Sequence, residues 1–258
     1  MSLFKGYIHF SLILLLAPVY SYSVEIPDYK REQNINEQII DYVIDGDVIT
    51  LNSKLEKKFN LIVNKFSNTS FSVLMLHGRG LHPVEPNVME PIRSFLIDQK
   101  INIYSLQLPV LSKGKTYNDY YKIFDYSDDR ISEAIKYIDD DKIIIIAHSC
   151  GVHMISSWLK KNQKNNIDGL VLIGSGAVDK NQNNKSSINY SKLNMPILNI
   201  YGEYDHGSVR ENSFMFQHEY LRNKYSLSRN VEILGSDHDH KDNSDSLVEA
   251  VKQWLKLL

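Results

Sequence analysis

The sequence predicts an α/β fold built on a mostly parallel, doubly wound β-sheet, and three observations support this prediction. Short apolar segments rich in β-branched residues alternate with longer segments of helical periodicity along most of the chain. The run Ile143–Ile146 is apolar throughout, as expected for a strand buried on both faces of a parallel sheet. The 258 residues are 43% hydrophobic and 23% charged, which suits one globular domain and excludes disordered and fibrous chains.

An antiparallel hairpin is predicted to lead the sheet. Its strands are Val48–Leu51 and Phe59–Asn64, and residues 24–46 before it form a polar lead-in with a short amphipathic turn at Ile35–Val43. The strands predicted after the hairpin are Ser72–His77, Ile101–Leu106, Lys142–Ala147, Gly169–Ile173, Pro196–Tyr201 and Val231–Leu234. Helical patterns occupy residues 87–99, 119–139, 151–162, 208–224 and 245–257. This alternation is typical of an α/β sheet with helices on both faces.

The amino-terminal segment Met1–Ser23 predicts a secretory signal peptide. Its apolar part, Tyr7–Tyr20, is shorter than the ~20 residues that a spanning helix needs, and Ser21–Ser23 offers a small-residue cleavage site. Cleavage would leave a single domain of residues 24–258, which we expect to be periplasmic or secreted. If the segment stays uncleaved, it would be the chain's point of attachment to a membrane.

Composition excludes several classes of partner and site. The formal net charge is −2, with 29 basic against 31 acidic residues and no basic stripe, which argues against nucleic acid as a partner. The single cysteine, Cys150, excludes an intrachain disulfide and a zinc site built on several thiolates. Gly174–Gly176 lacks the third glycine of a dinucleotide-binding loop, and the histidines of Asp237–His240 lack a third ligand at a regular spacing. We therefore expect neither a cofactor nor a metal.

The strongest chemical signal lies at the end of the strand that contains Ile143–Ile146. Residues Ala147–Gly151, AHSCG, have the small-x-Ser-x-Gly pattern of a nucleophile elbow, with alanine at the first small position. Small residues on both sides of the serine permit the sharp turn from strand to helix. We predict that Ser149 is the nucleophile, and a structural serine that caps the helix is the alternative. Cys150 is a weaker alternative, because its side chain should point into the helix packing.

A serine nucleophile needs a histidine base oriented by an acid, and on this fold the expected chain order is serine, acid, histidine. Asp205 follows the next-to-last predicted strand, and His238 follows the last one. We predict these two residues as the acid and the base. Asp179 and Glu203 remain alternatives for the acid, and His240 remains the alternative for the base.

A glycine-rich loop follows the strand Ser72–His77, in the position expected for an oxyanion hole. The loop His77–Gly80 places glycine on both sides of Arg79, which allows its backbone to approach a substrate closely. We predict that the backbone N–H groups of Arg79 and Cys150 stabilise the oxyanion. An ordinary strand-to-helix turn is the alternative.

The motifs and their order along the chain resemble those of the α/β-hydrolase superfamily, and the resemblance extends over nearly all of the predicted mature chain. The matching segments are His77–Gly80, Ala147–Gly151, Gly202–Asp205 and Gly235–His238. Leu76–Pro83 and Ser105–Leu111 further resemble a little-characterised family of exported proteobacterial α/β-hydrolases, a likeness that brings no known substrate.

The motifs and the resemblance together predict a carboxylesterase-like serine hydrolase that needs no cofactor. It would cleave ester, or thioester or amide, bonds of a small-molecule or envelope-derived acyl substrate through an acyl-enzyme intermediate. Only 21 residues separate Gly174 from Pro196, too few for a lid domain, so we expect an open site for small or surface-presented acyl esters. The alternative is a non-catalytic protein of the same fold that binds an envelope ligand or partner.

Overall fold

The computed structural model describes residues 25–258 except 56, 68, 140, 141 and 220–226. The predicted signal peptide Met1–Ser23 and the end of the predicted helix 208–224 lie outside the described residues. Among the helices that the structure describes, none combines the length and apolar character needed to cross a membrane.

An eight-stranded sheet lies at the centre. Its strands are β1 (Asp47–Leu51), β2 (Phe59–Asn64), β3 (Ser72–Leu76), β4 (Asn102–Leu106), β5 (Ile143–His148), β6 (Ile167–Ile173), β7 (Ile197–Gly202) and β8 (Arg229–Ile233). They lie in the order β1-β2-β4-β3-β5-β6-β7-β8. Strand β2 pairs antiparallel with β1 and with β4, and the remaining pairings are parallel. This arrangement confirms the predicted mostly parallel sheet with an antiparallel hairpin at its amino-terminal end.

Helices cover both faces of the sheet, as the alternation of patterns predicts. The helices are α1 (Tyr29–Ile39), α2 (Met89–Asp98), α3 (Tyr117–Tyr121), α4 (Phe124–Tyr137), α5 (Cys150–Lys161), α6 (Gly207–Glu219) and α7 (Ser244–Leu255). Apolar side chains of α2 and α7 bury one face, and those of α3, α4, α5 and α6 bury the other. The segment between β6 and β7 contains a single short 3-10 turn, Tyr190–Lys192, in agreement with the expected absence of a large lid.

Two helical boundaries differ from the sequence expectation. The pattern at 119–139 is divided into α3 and α4 by Ile123, whose φ of −107° and ψ of 12° leave the helical region while its side chain is fully buried. The turn expected at Ile35–Val43 instead forms part of α1 and the 3-10 turn that follows it. Helix α1 begins earlier because the Asp28 carboxylate accepts a hydrogen bond from the Arg31 N–H at 3.0 Å.

A buried ion pair fastens α1 to the rest of the domain. The Arg130 guanidinium donates to both carboxylate oxygens of Glu32, at 2.9 and 3.1 Å, and to the Gln107 carbonyl at 2.9 Å. The side chains of Arg130 and Glu32 are 0% and 5% exposed, so both charged groups lose their hydration on folding. Their mutual attraction has to offset this cost. Glu32 and Arg130 lie 98 residues apart in the chain.

Removing one partner of this pair should strongly destabilise the protein. We expect Glu32→Ala to lower the free energy of unfolding by about 3 kcal/mol, because it leaves the Arg130 charge buried without a counter-ion. Chemical denaturation measures this loss. The matched control is Glu249→Ala, which breaks the exposed pair with Lys252 and should leave the denaturation midpoint unchanged. Equal midpoints for the two variants would contradict the prediction.

Candidate active site

Ser149 lies on the tight turn that joins β5 to α5. Its backbone has φ 53° and ψ −115°, an unfavourable conformation for a residue with a side chain, costing about 1–3 kcal/mol. Gly151 makes the turn sterically feasible, because a Cβ atom there would lie 2.5 Å from the Leu76 carbonyl oxygen. The Ser149 N–H donates to the Ile173 carbonyl at 2.8 Å, which holds the turn against β6. The turn therefore has the strained strand-to-helix geometry of a nucleophile elbow.

A chain of hydrogen bonds joins Ser149 to His238 and Asp205. His238 Nε2 lies 2.8 Å from Ser149 Oγ, and His238 Nδ1 lies 2.7 Å from Asp205 Oδ1. Burial acts to raise the pKa of Asp205, but the hydrogen bonds from His238, His206 N–H and Gly202 N–H hold it below its ordinary value. An ionised Asp205 requires His238 to carry its proton on Nδ1, which leaves Nε2 free to accept the hydroxyl proton of Ser149.

The alternative acids and the alternative base have other partners. Asp179 pairs with Arg79, and Glu203 accepts a hydrogen bond from the Gly235 N–H at 2.8 Å. The Nδ1 atom of His240 lies 2.7 Å from Ser236 Oγ, in a buried position. The three residues that the structure brings together are thus those predicted first for nucleophile, base and acid.

The loop His77–Gly80 lies beside Ser149. A Cβ atom on Gly78 would lie 3.4 Å from the Ser149 Cβ. Among the described residues, the backbone N–H groups of Arg79 and Cys150 have no hydrogen-bond acceptor, so both are available to an added oxygen. Free N–H donors next to a nucleophile are what a developing oxyanion requires.

The loop itself is held by two side chains. The His77 ring accepts the Leu108 N–H through Nε2 at 3.0 Å, so its Nδ1 carries the proton and donates to the Gly78 carbonyl at 2.8 Å. Arg31 of α1 donates to the Gly80 carbonyl at 3.0 Å and also to the carbonyl of Leu111. Sequence reasoning missed Arg31, because no local pattern connects it with a loop 49 residues away.

Burial keeps three histidines and the cysteine near Ser149 neutral. It lowers the pKa of His77 and His148 to about 3 and that of His153 to about 4. It also raises the pKa of the Cys150 thiol to about 12, which makes this sulfur a poor nucleophile. His153 has structural partners, donating through Nε2 to the Ala177 carbonyl and accepting the Ser186 hydroxyl through Nδ1, both at 2.8 Å.

An open cavity of about 500 Å³ leads to Ser149. This volume lies within the range of small-molecule sites. Its wall combines apolar side chains with ionic groups of both signs and includes Arg79, Leu81, Tyr117, His148, Ser149, Cys150, Ala177, Val178, Asp179, Lys180, His206, His238 and Asp239.

One group of side chains in this wall has the types and spacing of metal ligands. Ligand atoms of His148, His238 and Asp239 lie within 4.8 Å of one another. Both ring nitrogens of His238 already take part in the hydrogen bonds to Ser149 and Asp205, so an ion bound there would compete with the serine site. His148 donates through Nε2 to the His238 carbonyl at 3.2 Å, which ties it to the same loop.

Comparison with solved structures defines the fold. Est1E from Butyrivibrio proteoclasticus superposes with a TM-score of 0.61 at 14% identity, covering 82% of this chain and 98% of that one. A thermophilic esterase from Thermogutta terrifontis gives a TM-score of 0.60 at 13% identity, over 81% and 98% of the two chains. A lidless α/β serine hydrolase from Xanthomonas campestris gives a TM-score of 0.58 at 12% identity, over 83% of this chain and 94% of that one.

The chain has the α/β-hydrolase fold. In addition, the sequence model of a family described as serine hydrolase matches residues 128–200, a stretch that contains β5, Ser149 and α5 but ends before Asp205 and His238. This match supports a serine hydrolase. No curated protein matches the sequence. The narrower resemblance to exported proteobacterial α/β-hydrolases stays a prediction.

The geometry of the Ser149 site depends on a glycine that faces His238. Gly174 has a φ of +64°, and a Cβ atom there would lie 2.6 Å from His238 Cε1. We expect Gly174→Ala to displace the imidazole and slow the reaction of Ser149 with a fluorophosphonate about a hundredfold. The control is Gly114→Ala, which has a comparable φ of +83° but no atom within 4 Å of the added carbon. Gly114→Ala should be labelled at the wild-type rate, and equal labelling rates in the two variants would contradict the prediction.

The buried histidines should make stability depend on pH. The ordinary pKa of histidine is 6.5, so below this pH the unfolded chain binds protons that folded His77, His148 and His153 do not. The free energy of unfolding should fall as the pH decreases from about 6.5 to 5, by roughly 1 kcal/mol per pH unit for each imidazole. Urea denaturation at several pH values measures this slope. His153→Gln should reduce it by the contribution of one imidazole, roughly 1 kcal/mol per pH unit, and an unchanged slope would contradict the assignment.

Proposed function

We propose that this protein is a carboxylesterase-like serine hydrolase that cleaves carboxylic ester bonds through an acyl-enzyme intermediate. The observation that carries the proposal is the unbroken hydrogen-bond chain from Asp205 through His238 to the Ser149 hydroxyl, with free backbone N–H groups beside it. The partial match to a serine hydrolase family supports the same reaction class. So do the esterase and serine hydrolase names of proteins that share the fold.

In the first half of the reaction, Ser149 Oγ attacks the ester carbonyl carbon while its proton passes to His238 Nε2. The carbonyl oxygen becomes an oxyanion that accepts hydrogen bonds from the N–H groups of Arg79 and Cys150. Asp205 stabilises the imidazolium that forms. Collapse of the tetrahedral intermediate breaks the bond to the leaving alkoxide, which takes the proton from His238 and departs as the alcohol.

In the second half, water attacks the acyl-enzyme. His238 Nε2 takes a proton from this water as the new carbon–oxygen bond forms, and the same two N–H groups stabilise the second oxyanion. When the intermediate collapses, the proton returns to Ser149 Oγ and the carboxylic acid is released. Every proton in the cycle moves through one imidazole nitrogen, so no cofactor is required.

The shape of the site supports small or surface-presented acyl esters as the substrate class. The cavity of about 500 Å³ is open to solvent, and the segment between β6 and β7 adds no lid over it. Such a site accommodates a short acyl chain, or one ester group that projects from a larger envelope component. Thioesters and amides would react through the same steps. We also propose that the enzyme acts in the periplasm or outside the cell, on the basis of the signal peptide predicted for Met1–Ser23.

Replacement of the nucleophile tests the proposal. We expect Ser149→Ala to reduce hydrolysis of a short-chain p-nitrophenyl ester on the order of a millionfold and to abolish fluorophosphonate labelling, because no other hydroxyl among the described residues is hydrogen-bonded to His238. Ser157→Ala is the matched control, since this serine lies on the same helix and its hydroxyl binds Asp128 at 2.9 Å, away from the cavity. It should retain labelling and turnover.

The outcome also separates an enzyme from a binding protein. Folded wild-type protein that fails to react with the fluorophosphonate would favour the non-catalytic alternative, a protein that binds an envelope ligand or partner. Unchanged hydrolysis by Ser149→Ala would end the assignment of this serine. Circular dichroism of both variants establishes that they are folded.

A further inference from the structure

The imidazole of His238 takes part in every proton transfer of the proposed reaction, and two hydrogen bonds orient it. Its Nδ1 atom lies 2.7 Å from Asp205 Oδ1, and its Nε2 atom lies 2.8 Å from Ser149 Oγ. The second bond exists only while Ser149 has a free hydroxyl. In the acyl-enzyme this oxygen is esterified and has no hydrogen to donate, and the unprotonated Nε2 has none either. One hydrogen bond then holds the imidazole, at the stage where it must direct a water molecule.

An exposed second ring packs against this imidazole. The ring centroids of His206 and His238 lie 4.5 Å apart, with an angle of 41° between the ring planes. This separation is at the short end of the range of about 4.5–7 Å for aromatic pairs. His206 is exposed and belongs to the cavity wall, whereas only 14% of the His238 side chain is exposed. The His206 ring therefore covers part of the imidazole on the side of the cavity.

The backbone of His206 is fixed at both of its polar groups. Its N–H donates to Asp205 Oδ1 at 2.7 Å, and the same oxygen binds His238 Nδ1. Its carbonyl accepts the N–H groups of Val209 and Arg210 in the first turn of α6, at 3.0 and 3.1 Å. Only the two side-chain torsions of His206 are left to be ordered when its ring packs against His238. The entropy cost of this contact is therefore small.

The other close neighbours of the imidazole belong to the interior of the protein. A Cβ atom on Gly174 would lie 2.6 Å from His238 Cε1, and the His148 ring centroid lies 5.3 Å from that of His238. Both neighbours are buried at the ends of central strands. Of the two rings that contact His238, His206 is thus the one that can be replaced without disturbing the core.

We propose that His206 is a positioning residue of this hydrolase, whose ring keeps the His238 imidazole aligned in the acyl-enzyme and so supports the second half of the reaction. The proposal rests on the function proposed above. In the first half, two hydrogen bonds already orient the imidazole, so the ring contact adds little. In the second half, water must lie between Nε2 and the acyl carbon, and a small displacement of the imidazole disrupts this alignment. The ring contact matters most where one of the two hydrogen bonds is missing.

A carbamoylating reagent separates the two halves experimentally. The Ser149 oxygen attacks p-nitrophenyl dimethylcarbamate, forms a bond to the carbamoyl carbon and releases p-nitrophenol. Water then breaks that bond and yields dimethylcarbamic acid and the free serine hydroxyl. The nitrogen of the carbamate donates electrons to the carbonyl and slows this second step, so excess reagent can be removed first. Release of p-nitrophenol measures the first half, and the return of esterase activity measures the second.

We expect His206→Ala to slow the return of activity about three- to tenfold, which is the effect of losing one aromatic pair, and to change the first rate less than about twofold. This variant keeps the backbone N–H that binds Asp205. His206→Phe restores an aromatic ring and should recover activity at a rate within about twofold of the wild type. Intact mass of quenched samples follows the carbamoyl group independently of activity.

The matched control is His218→Ala. It removes another exposed histidine ring of the same region, which lies 4.2 Å from the Phe214 ring in α6 and is not part of the cavity wall. Both rates should be unchanged in this variant.

Each result bears on a specific claim. Wild-type protein without Ser149-dependent fluorophosphonate labelling would refute the proposed function itself. If the wild type is labelled and carbamoylated but His206→Ala regains activity at the wild-type rate, the positioning role fails while the hydrolase assignment stands. Equal slowing of both halves would also overturn the proposal, because the effect would not depend on the missing hydrogen bond. So would a His206→Phe variant as slow as His206→Ala, because the ring would then not be responsible.

Discussion

The backbone conformation of Ser149 is the constraint on which the rest of the site depends. A residue with a side chain adopts φ 53° and ψ −115° only where its surroundings impose it. Here β6 restrains one side of the turn through the carbonyl of Ile173, and the close contact of Gly151 with Leu76 brings α5 against the end of β3. The packing of a buried strand and a buried helix thus compensates for local strain. The resulting turn presents the Ser149 hydroxyl at the edge of the sheet, with the free N–H of Cys150 beside it.

The parallel sheet explains why widely separated residues converge on that hydroxyl. Ser149 follows β5, whereas Asp205 and His238 follow β7 and β8, which lie beyond β6 in the order of the sheet. The carboxyl ends of parallel strands meet at one edge, so residues that follow different strands become neighbours. The loop that carries Arg79 follows β3, next to β5 on the other side. The sheet therefore brings Ser149, Asp205, His238 and the loop that carries Arg79 to one edge.

The same geometry explains what sequence reasoning could and could not provide. Strand positions followed from apolar β-branched runs, and site residues followed from motifs at strand ends, so Ser149, Asp205 and His238 could be proposed before any coordinates. The division of α3 from α4 could not be predicted, because the burial of Ile123 overrides a continuous helical pattern. The contacts of Arg31 and Asp179 could not be predicted either, because their partners lie 49 and 100 residues away and form no local motif.

Helix α1 contributes two consecutive residues to different parts of the protein. Arg31 supports a carbonyl of the loop beside the nucleophile, and Glu32 neutralises a buried arginine in α4. A protease that trimmed the chain beyond this helix would remove both supports at once, without altering the serine, the histidine or the aspartate. Loss of this amino-terminal stretch would therefore release the Gly80 carbonyl and leave the Arg130 charge buried without its counter-ion, so the geometry around Ser149 depends on a segment that lies more than a hundred residues earlier in the chain.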